Sequence, residues 1–255
     1  MGRVVCFANQ KGGVGKTSTC VNLCAAVCEK NRSILLIDAD PQGNATTGMG
    51  VDKHNKPSLY DVMINDVPIE RAIIETPYGD VVPANLDLSG TTVELVDVDG
   101  RESVLRRVIE PVRDRYDYIF IDCPPSLGLL TLNALVASDS VLIPVQCEYY
   151  AMEGLADLVR SIRLIKRRLN PTLVIEGILL TMYDRRLNFT SQVSREIRKA
   201  FQNAVYSTVV PRNVRIAEAP SHGQPVGTYA GLSRGAVAYD CLAIEFFRHN
   251  HTYSI

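Results

Sequence analysis

The chain of 255 residues has no apolar run of about 18 residues, so no membrane-spanning helix is expected. Its start, Met1-Gly2-Arg3-Val4-Val5-Cys6, lacks a charged stretch followed by a long apolar one. It reads as the beginning of a strand and not as a secretory leader. No C-x-x-C pair occurs. The seven cysteines (Cys6, Cys20, Cys24, Cys28, Cys123, Cys147 and Cys241) follow no disulfide framework, and a reducing cytoplasm fits them. Gly/Ser-rich or Pro-rich linkers, low-complexity tracts and repeats of about 20–50 residues are also missing, so residues 1–255 read as a single domain. A strong overall charge is lacking too, at −1, but the balance is uneven. Residues 1–150 carry −7 and residues 151–255 carry +6, with 14 Lys and Arg against 8 Asp and Glu in the second part. Such a half can present a local anion-binding face.

What is present is an ordinary globular composition, 46% apolar and 22% charged. Short β-branched runs alternate with helical patterns. Strands are expected at Val4–Ala8, Ser33–Asp38, Tyr118–Asp122, Val141–Val145, Val174–Met182 and Ala204–Val210. Helices are expected at Thr17–Lys30, Glu153–Leu169, Thr190–Phe201 and Gly235–Arg248, the second with Leu155, Leu158, Val159, Ile162 and Ile165 on one face. Continuously apolar strands separated by helices suit a sheet covered on both sides. The expected fold is therefore α/β, a doubly wound, mostly parallel twisted sheet with helices on both faces. Val51–Gly100 is the least regular stretch, with an exposed loop at Lys53-His54-Asn55-Lys56-Pro57 and short elements after it.

The first strand runs into Asn9-Gln10-Lys11-Gly12-Gly13-Val14-Gly15-Lys16-Thr17-Ser18 and then a helix. A strand, a Gly-rich turn and a helix N-terminus form an anion cradle, because backbone N–H groups converge on phosphate oxygens and the helix dipole adds favourable potential. Lys16 would neutralise β/γ charge, and the Thr17 hydroxyl would ligate Mg²⁺. The common G-x-x-x-x-G-K-[ST] pattern fails at its first position, where Gln10 stands, and a second lysine, Lys11, enters the loop. Two further strands end in acids: Ile34–Ile37 runs into Asp38-Ala39-Asp40, and Tyr118–Ile121 into Asp122. Ligands of open parallel sheets sit beyond the carboxyl ends of the strands. Asp122 is placed to hold Mg²⁺ through water, since Mg²⁺ dehydrates reluctantly. Asp38 is a further metal candidate. If the strand continues extended, Asp38 and Asp40 share a side, and one of them would orient the attacking water.

These segments resemble the deviant Walker A ATPases of the ParA/MinD family, in the short chromosomal, Soj-like branch. The resemblance rests on Lys11–Thr17, Asp38-Ala39-Asp40-Pro41-Gln42-Gly43-Asn44, Ile121-Asp122-Cys123-Pro124-Pro125, Leu180-Thr181-Met182-Tyr183-Asp184 and Pro211–Gly223, and it extends over nearly the whole chain. It implies ATP and Mg²⁺ as cofactors and an ATP-sandwich homodimer in which Lys11 reaches the partner's phosphates, a cation supplied in trans. It implies catalytic roles for Lys11, Lys16 and Asp40, with Asp40 positioning the water. Lys11, Gly12, Gly13, Val14, Gly15, Lys16, Thr17 and Ser18 would hold the phosphates, and Met182, Pro211 and Asn213 would lie near the adenine. No N-K-x-D guanine-reading motif is present, which fits ATP.

The same resemblance implies DNA partitioning, of a chromosome or a plasmid. The ATP dimer would bind DNA non-specifically on the nucleoid, and a ParB-like DNA-binding protein would stimulate hydrolysis. Arg186 and Arg215 match the family's DNA-binding arginines, and Arg195, Arg198 and Lys199 would extend the patch. Phosphate contacts of this kind are salt-dependent and sequence-independent, and a dimer gains avidity. No helix-turn-helix extension precedes the first strand, so operator-specific repression is not expected.

Other functions on this fold make different demands. A MinD-like membrane-surface ATPase needs a basic amphipathic C-terminal helix, whereas Phe246–Ile255 is short and scarcely basic. No membrane partner is therefore expected. A metal or Fe–S carrier would use Cys20, Cys24 and Cys28, spaced i, i+4, i+8, but such thiols more often pack as small apolar groups. A small-molecule ligase or kinase would need a substrate pocket that no motif reveals.

Overall fold

The computed structural model describes residues 1–248, so the His249-Asn250-His251 tail and most of the segment weighed for membrane contact lie outside it. Seven strands form one sheet: β1 (Arg3–Phe7), β2 (Ile34–Asp38), β3 (Asp80–Val82), β4 (Tyr118–Asp122), β5 (Ser140–Gln146), β6 (Val174–Tyr183) and β7 (Val205–Pro211). Their order is β3-β2-β4-β1-β5-β6-β7, and every pairing is parallel. The central strands are apolar because both faces are covered. Val5, Phe7, Leu36 and Phe120 face a core shared with helix α1 (Lys16–Cys28) and helix α6 (Arg234–Arg248). Val4, Cys6, Ile37 and Ile121 face the other core. That side is covered by α3 (Leu129–Ala137), α4 (Ala151–Arg168) and α5 (Asn188–Phe201).

α4 buries Leu155, Leu158, Val159 and Ile162, the i, i+3, i+4, i+7 stripe expected of a surface helix. α1 is buried nearly all round, so its sequence shows no such stripe. Cys20 and Cys24 are buried within that packing, and burial pushes both thiols well up. On β6, Gly177 lies under the ring of Tyr206, where a Cβ would fall within 2.4 Å of a ring carbon. Gly177→Ala should therefore cost about 1–3 kcal/mol, read as a lower urea midpoint with an unchanged slope.

Edge strand β3 was not expected from the sequence. It has only three residues, and its neighbour Ile74 pairs with Val81 in an isolated antiparallel bridge. α3 also goes beyond the expected elements. No helix among the described residues is long and apolar enough to cross a membrane.

Candidate nucleotide site

All seven strands being parallel, their carboxyl ends share one edge, and the chain places its functional side chains there. The β1–α1 connection is the phosphate loop. Gly13 (φ +74°) and Gly15 (φ +86°) are left-handed, a conformation that glycine adopts without the Cβ penalty. Two contacts that the sequence reading had not anticipated brace the loop. Asn9 accepts from the Lys11 amide (3.0 Å) and donates its Nδ2 to the Pro144 carbonyl on β5 (2.7 Å). The Thr181 hydroxyl of β6 donates to the Val14 carbonyl (2.7 Å). Both residues lie in segments that the sequence marks, but these contacts give no signal until the strand order makes the partners neighbours.

The two lysines differ. Lys16 is buried, and its Nζ donates back to the Lys11 carbonyl across the loop (3.1 Å). Burial pulls its pKa down, opposed by the nearby charges of Asp122 and Asp40. Lys11 is half exposed and forms an ion pair with Glu148, just beyond β5. It therefore stands at the rim of the loop and not within it.

Asp38 and Asp122 are partners in the β2–β4 register, so both lie on the α1 side of the sheet beside the loop. Both are fully buried. Asp38 has several donors: its Oδ1 accepts from the Asp40 amide (3.1 Å), and its Oδ2 from the amide and hydroxyl of Thr46 (2.8 Å each). Thr46 belongs to helix α2 (Asn44–Gly48), so Asp38 ties that helix to the strand. Desolvation, partly offset by these bonds, raises its pKa to about 6. Asp122 differs, because neither carboxylate oxygen meets hydrogen-bond geometry with any group. Desolvation and the charge of Asp38 push its pKa well up, and the neighbouring Thr17 hydroxyl pulls it down.

A buried, unpaired carboxylate costs free energy unless a cation accompanies it. Asp122 with the Thr17 hydroxyl is a hard-oxygen donor set suited to Mg²⁺. Asp38, its oxygens already taken by Thr46 and Asp40, is left with less capacity for metal than Asp122. Asp40 is buried just past the strand, where its Oδ1 accepts from the Gln42 amide (3.0 Å).

Beside the loop lies a cleft of about 330 Å³, lined by Gly15, Ser18, Met182, Pro211, Asn213 and Tyr239 among others. Met182, Pro211 and Asn213, separate in sequence, meet there. Met182 has φ +49°, and the β6–β7 register shifts beside it, so Thr181 and Met182 line the same cleft instead of opposite faces.

Of the basic residues expected to meet DNA, Arg186 lies in the turn after β6, Arg195, Arg198 and Lys199 on α5, and Arg215 on the short helix Val214–Glu218 after β7. Arg186 is exposed but forms a bidentate pair with Asp184 (2.9 and 2.7 Å), which holds the Asp184 carboxyl down at about 2. Arg215 pairs with Glu218 (2.8 Å). Arg195 and Lys199 are exposed on α5, and Arg198 donates to the Ser207 carbonyl (3.4 Å). The acidic partners of Arg186 and Arg215 were not part of the sequence reading.

With this geometry in hand, similarity to known proteins is informative. Residues 2–175 match the AAA domain family. The chain is 52% identical to the sporulation initiation inhibitor protein Soj of Bacillus subtilis, covering 96% of this chain and 98% of that protein. It is 51% identical to the chromosome partitioning protein ParA of Myxococcus xanthus, covering 98% and 89%. Cobyrinic acid a,c-diamide synthase from Mycobacterium smegmatis, solved with bound ADP and magnesium, superposes with a TM-score of 0.86 at 36% identity, covering 98% and 95%. The phosphate loop with its second lysine, the paired strand-end acids and these full-length likenesses together place the chain in the ParA/MinD family of ATPases, in its Soj-like branch.

Proposed function

We propose that this chain, acting as one ATPase domain, is an ATP- and Mg²⁺-dependent DNA-partitioning ATPase. In this reading ATP binding forms a sandwich homodimer that holds DNA without sequence preference. Hydrolysis, stimulated by a ParB-like DNA-binding partner, releases the DNA. The observation that carries the reading is the contrast between the lysines. Lys16 is buried inside its own phosphate loop, whereas Lys11 stands half exposed at the rim, paired with Glu148 and available to a second subunit.

The loop amides from Gly12 to Ser18 would cradle the phosphates, with Lys16 neutralising their charge. Met182, Pro211 and Asn213 would seat the adenine in the adjoining cleft. Thr17, and Asp122 through water, would hold Mg²⁺, with Asp38 close by. When bound, the ion would neutralise charge on the β- and γ-phosphoryl oxygens. Asp40 would orient the attacking water, and the partner's Lys11 would meet charge developing on the transferred phosphoryl group. Arg186, Arg215, Arg195, Arg198 and Lys199 would contact DNA phosphates, and pairing two protomers would double that surface. Such a protein would reside on the nucleoid in the cytoplasm. DNA- or partner-stimulated ATP turnover separates this reading from a small-molecule ligase on the same fold.

Size-exclusion chromatography with ATP, ADP or no nucleotide tests it. Wild type should dimerise with ATP only, Lys16→Ala should remain monomeric, and Asp40→Ala should accumulate as an ATP dimer. A monomeric Asp40→Ala protein would contradict the role given to Asp40. For the DNA surface, Arg215→Glu should keep ATP binding and lose DNA retention. Unchanged retention at low salt would remove Arg215 from that surface.

A further inference from the structure

The second half of the chain carries cations that the DNA surface above does not use. Arg163, Lys166 and Arg167 of α4, with Pro171, line a concave site of about 410 Å³. No carboxylate lines it. Among the described residues none pairs with these three side chains, although Arg160, one turn earlier, is paired with Asp157 (3.2 Å). Cations do favour the last turn of a helix, where they complement its dipole, but that effect fades within the turn. Arg163 lies five residues before the end of α4 at Arg168, so the dipole does not account for it. Like charges at i, i+3 and i+4 repel one another, and an anion in the concavity would relieve that repulsion.

The topology says what kind of anion fits. Nucleotide-site residues occupy the carboxyl ends of the strands. α4 and α5 each follow a strand and run back along the sheet, so their C-terminal halves lie at its opposite end. The two helices pack against each other, and the C-terminal half of α5 carries Arg195, Arg198 and Lys199. The basic groups thus continue along the α4–α5 layer, from Arg186 near the nucleotide end to the α4 cleft at the far end. A long, regularly charged polyanion matches such a band. A membrane surface would need an outward apolar face, and the apolar stripe of α4 is spent against the sheet.

We propose that Arg163, Lys166 and Arg167 form a further contact for the phosphate backbone of duplex DNA, extending the footprint to the end of the sheet away from ATP. This inference rests on the DNA-binding reading given above. Each phosphate contact releases counterions, so its removal shows as a shallower dependence of log K on log salt.

The test measures binding of a random-sequence duplex to the ATP-loaded protein by fluorescence anisotropy across a potassium chloride series. Arg163→Gln, outside the last turn, should reduce the slope by about one for each contacting protomer. The R163Q/K166Q/R167Q protein should reduce it by about two to three for each contacting protomer, with affinity near 0.1 M salt lower by on the order of 10²-fold. A thermal melt checks that both proteins are folded, and the single substitution serves if the triple one is not. Unchanged slopes with wild-type DNA binding intact would overturn this contact and leave the DNA reading standing. A loss of binding to anionic phospholipid vesicles, with DNA slopes unchanged, would overturn it in favour of a membrane surface. If ATP binds but the wild-type protein retains no duplex, the DNA reading itself fails and the contact fails with it.

Discussion

Asp122→Asn should make the nucleotide-free protein more stable while abolishing Mg²⁺-dependent hydrolysis. The carboxylate is fully buried, lies in register with Asp38 and meets hydrogen-bond geometry with no group, although the Thr17 hydroxyl is close by. The neutral amide removes the cost of burying a carboxylate that Lys16 only partly offsets, a gain of about 1–2 kcal/mol, or roughly 2–8 °C in melting temperature. The pH dependence fixes the sign. Asp38 is raised to about 6, and Asp122 is raised well above its ordinary value, so both hold protons in the native state that the unfolded chain releases from about pH 4 upward. Where the native state binds more protons, stability falls as pH rises. Nucleotide-free wild type should therefore lose stability from pH 4 through 6 and above, Asp122→Asn should lose less, and Mg²⁺ with ATP should restore the wild type preferentially. Thermal melts at stepped pH, with and without Mg²⁺-ATP, give all three results. A destabilised Asp122→Asn protein with a wild-type pH slope would mean that Asp122 is a structural group with an unseen partner.

Lys11→Ala should bind ATP nearly as well as wild type and turn it over about 10³–10⁵-fold more slowly, the range for a cation supplied in trans to a transferring phosphoryl group. The expectation follows from placement. Lys16 sits inside its own loop, whereas Lys11 is paired with Glu148 at the rim. Forming the proposed dimer would break that pair or carry it along, and a partly exposed pair of this kind contributes little by itself. Calorimetry of ATP binding beside single-turnover kinetics separates the two effects. A Lys11→Ala protein that loses ATP affinity as steeply as Lys16→Ala would place Lys11 within its own subunit's site.

Much of this was legible in the sequence, for definite reasons. β2 and β4 are uninterrupted apolar runs because helices cover both faces of the sheet, and the acids that end them are the only charges those two runs carry; β1 is apolar after Arg3 for the same reason. The phosphate loop announces itself because close backbone approach requires glycine at fixed spacing. β3 escaped notice because three residues at a sheet edge carry no period. Asn9, Thr181 and Glu148 escaped because each acts on the loop from β5, β6 or the loop's own base, contacts that only strand order creates. The left-handed Met182 could not be read either, since nothing in Leu180-Thr181-Met182-Tyr183 marks a break in alternation. The pairing of Arg186 with Asp184 needed the turn after β6 to form first.

The central claim is that two subunits complete each other's sites, and a mixing experiment addresses it directly. Lys11→Ala and Asp40→Ala proteins, each inactive alone, are combined without nucleotide and then given Mg²⁺-ATP. In a mixed dimer one site keeps its own Asp40 and receives an intact Lys11 from across the interface, while the other site lacks both. With random pairing in a symmetric dimer, about a quarter of wild-type turnover should return. A mixture as inactive as its parts would contradict the shared site.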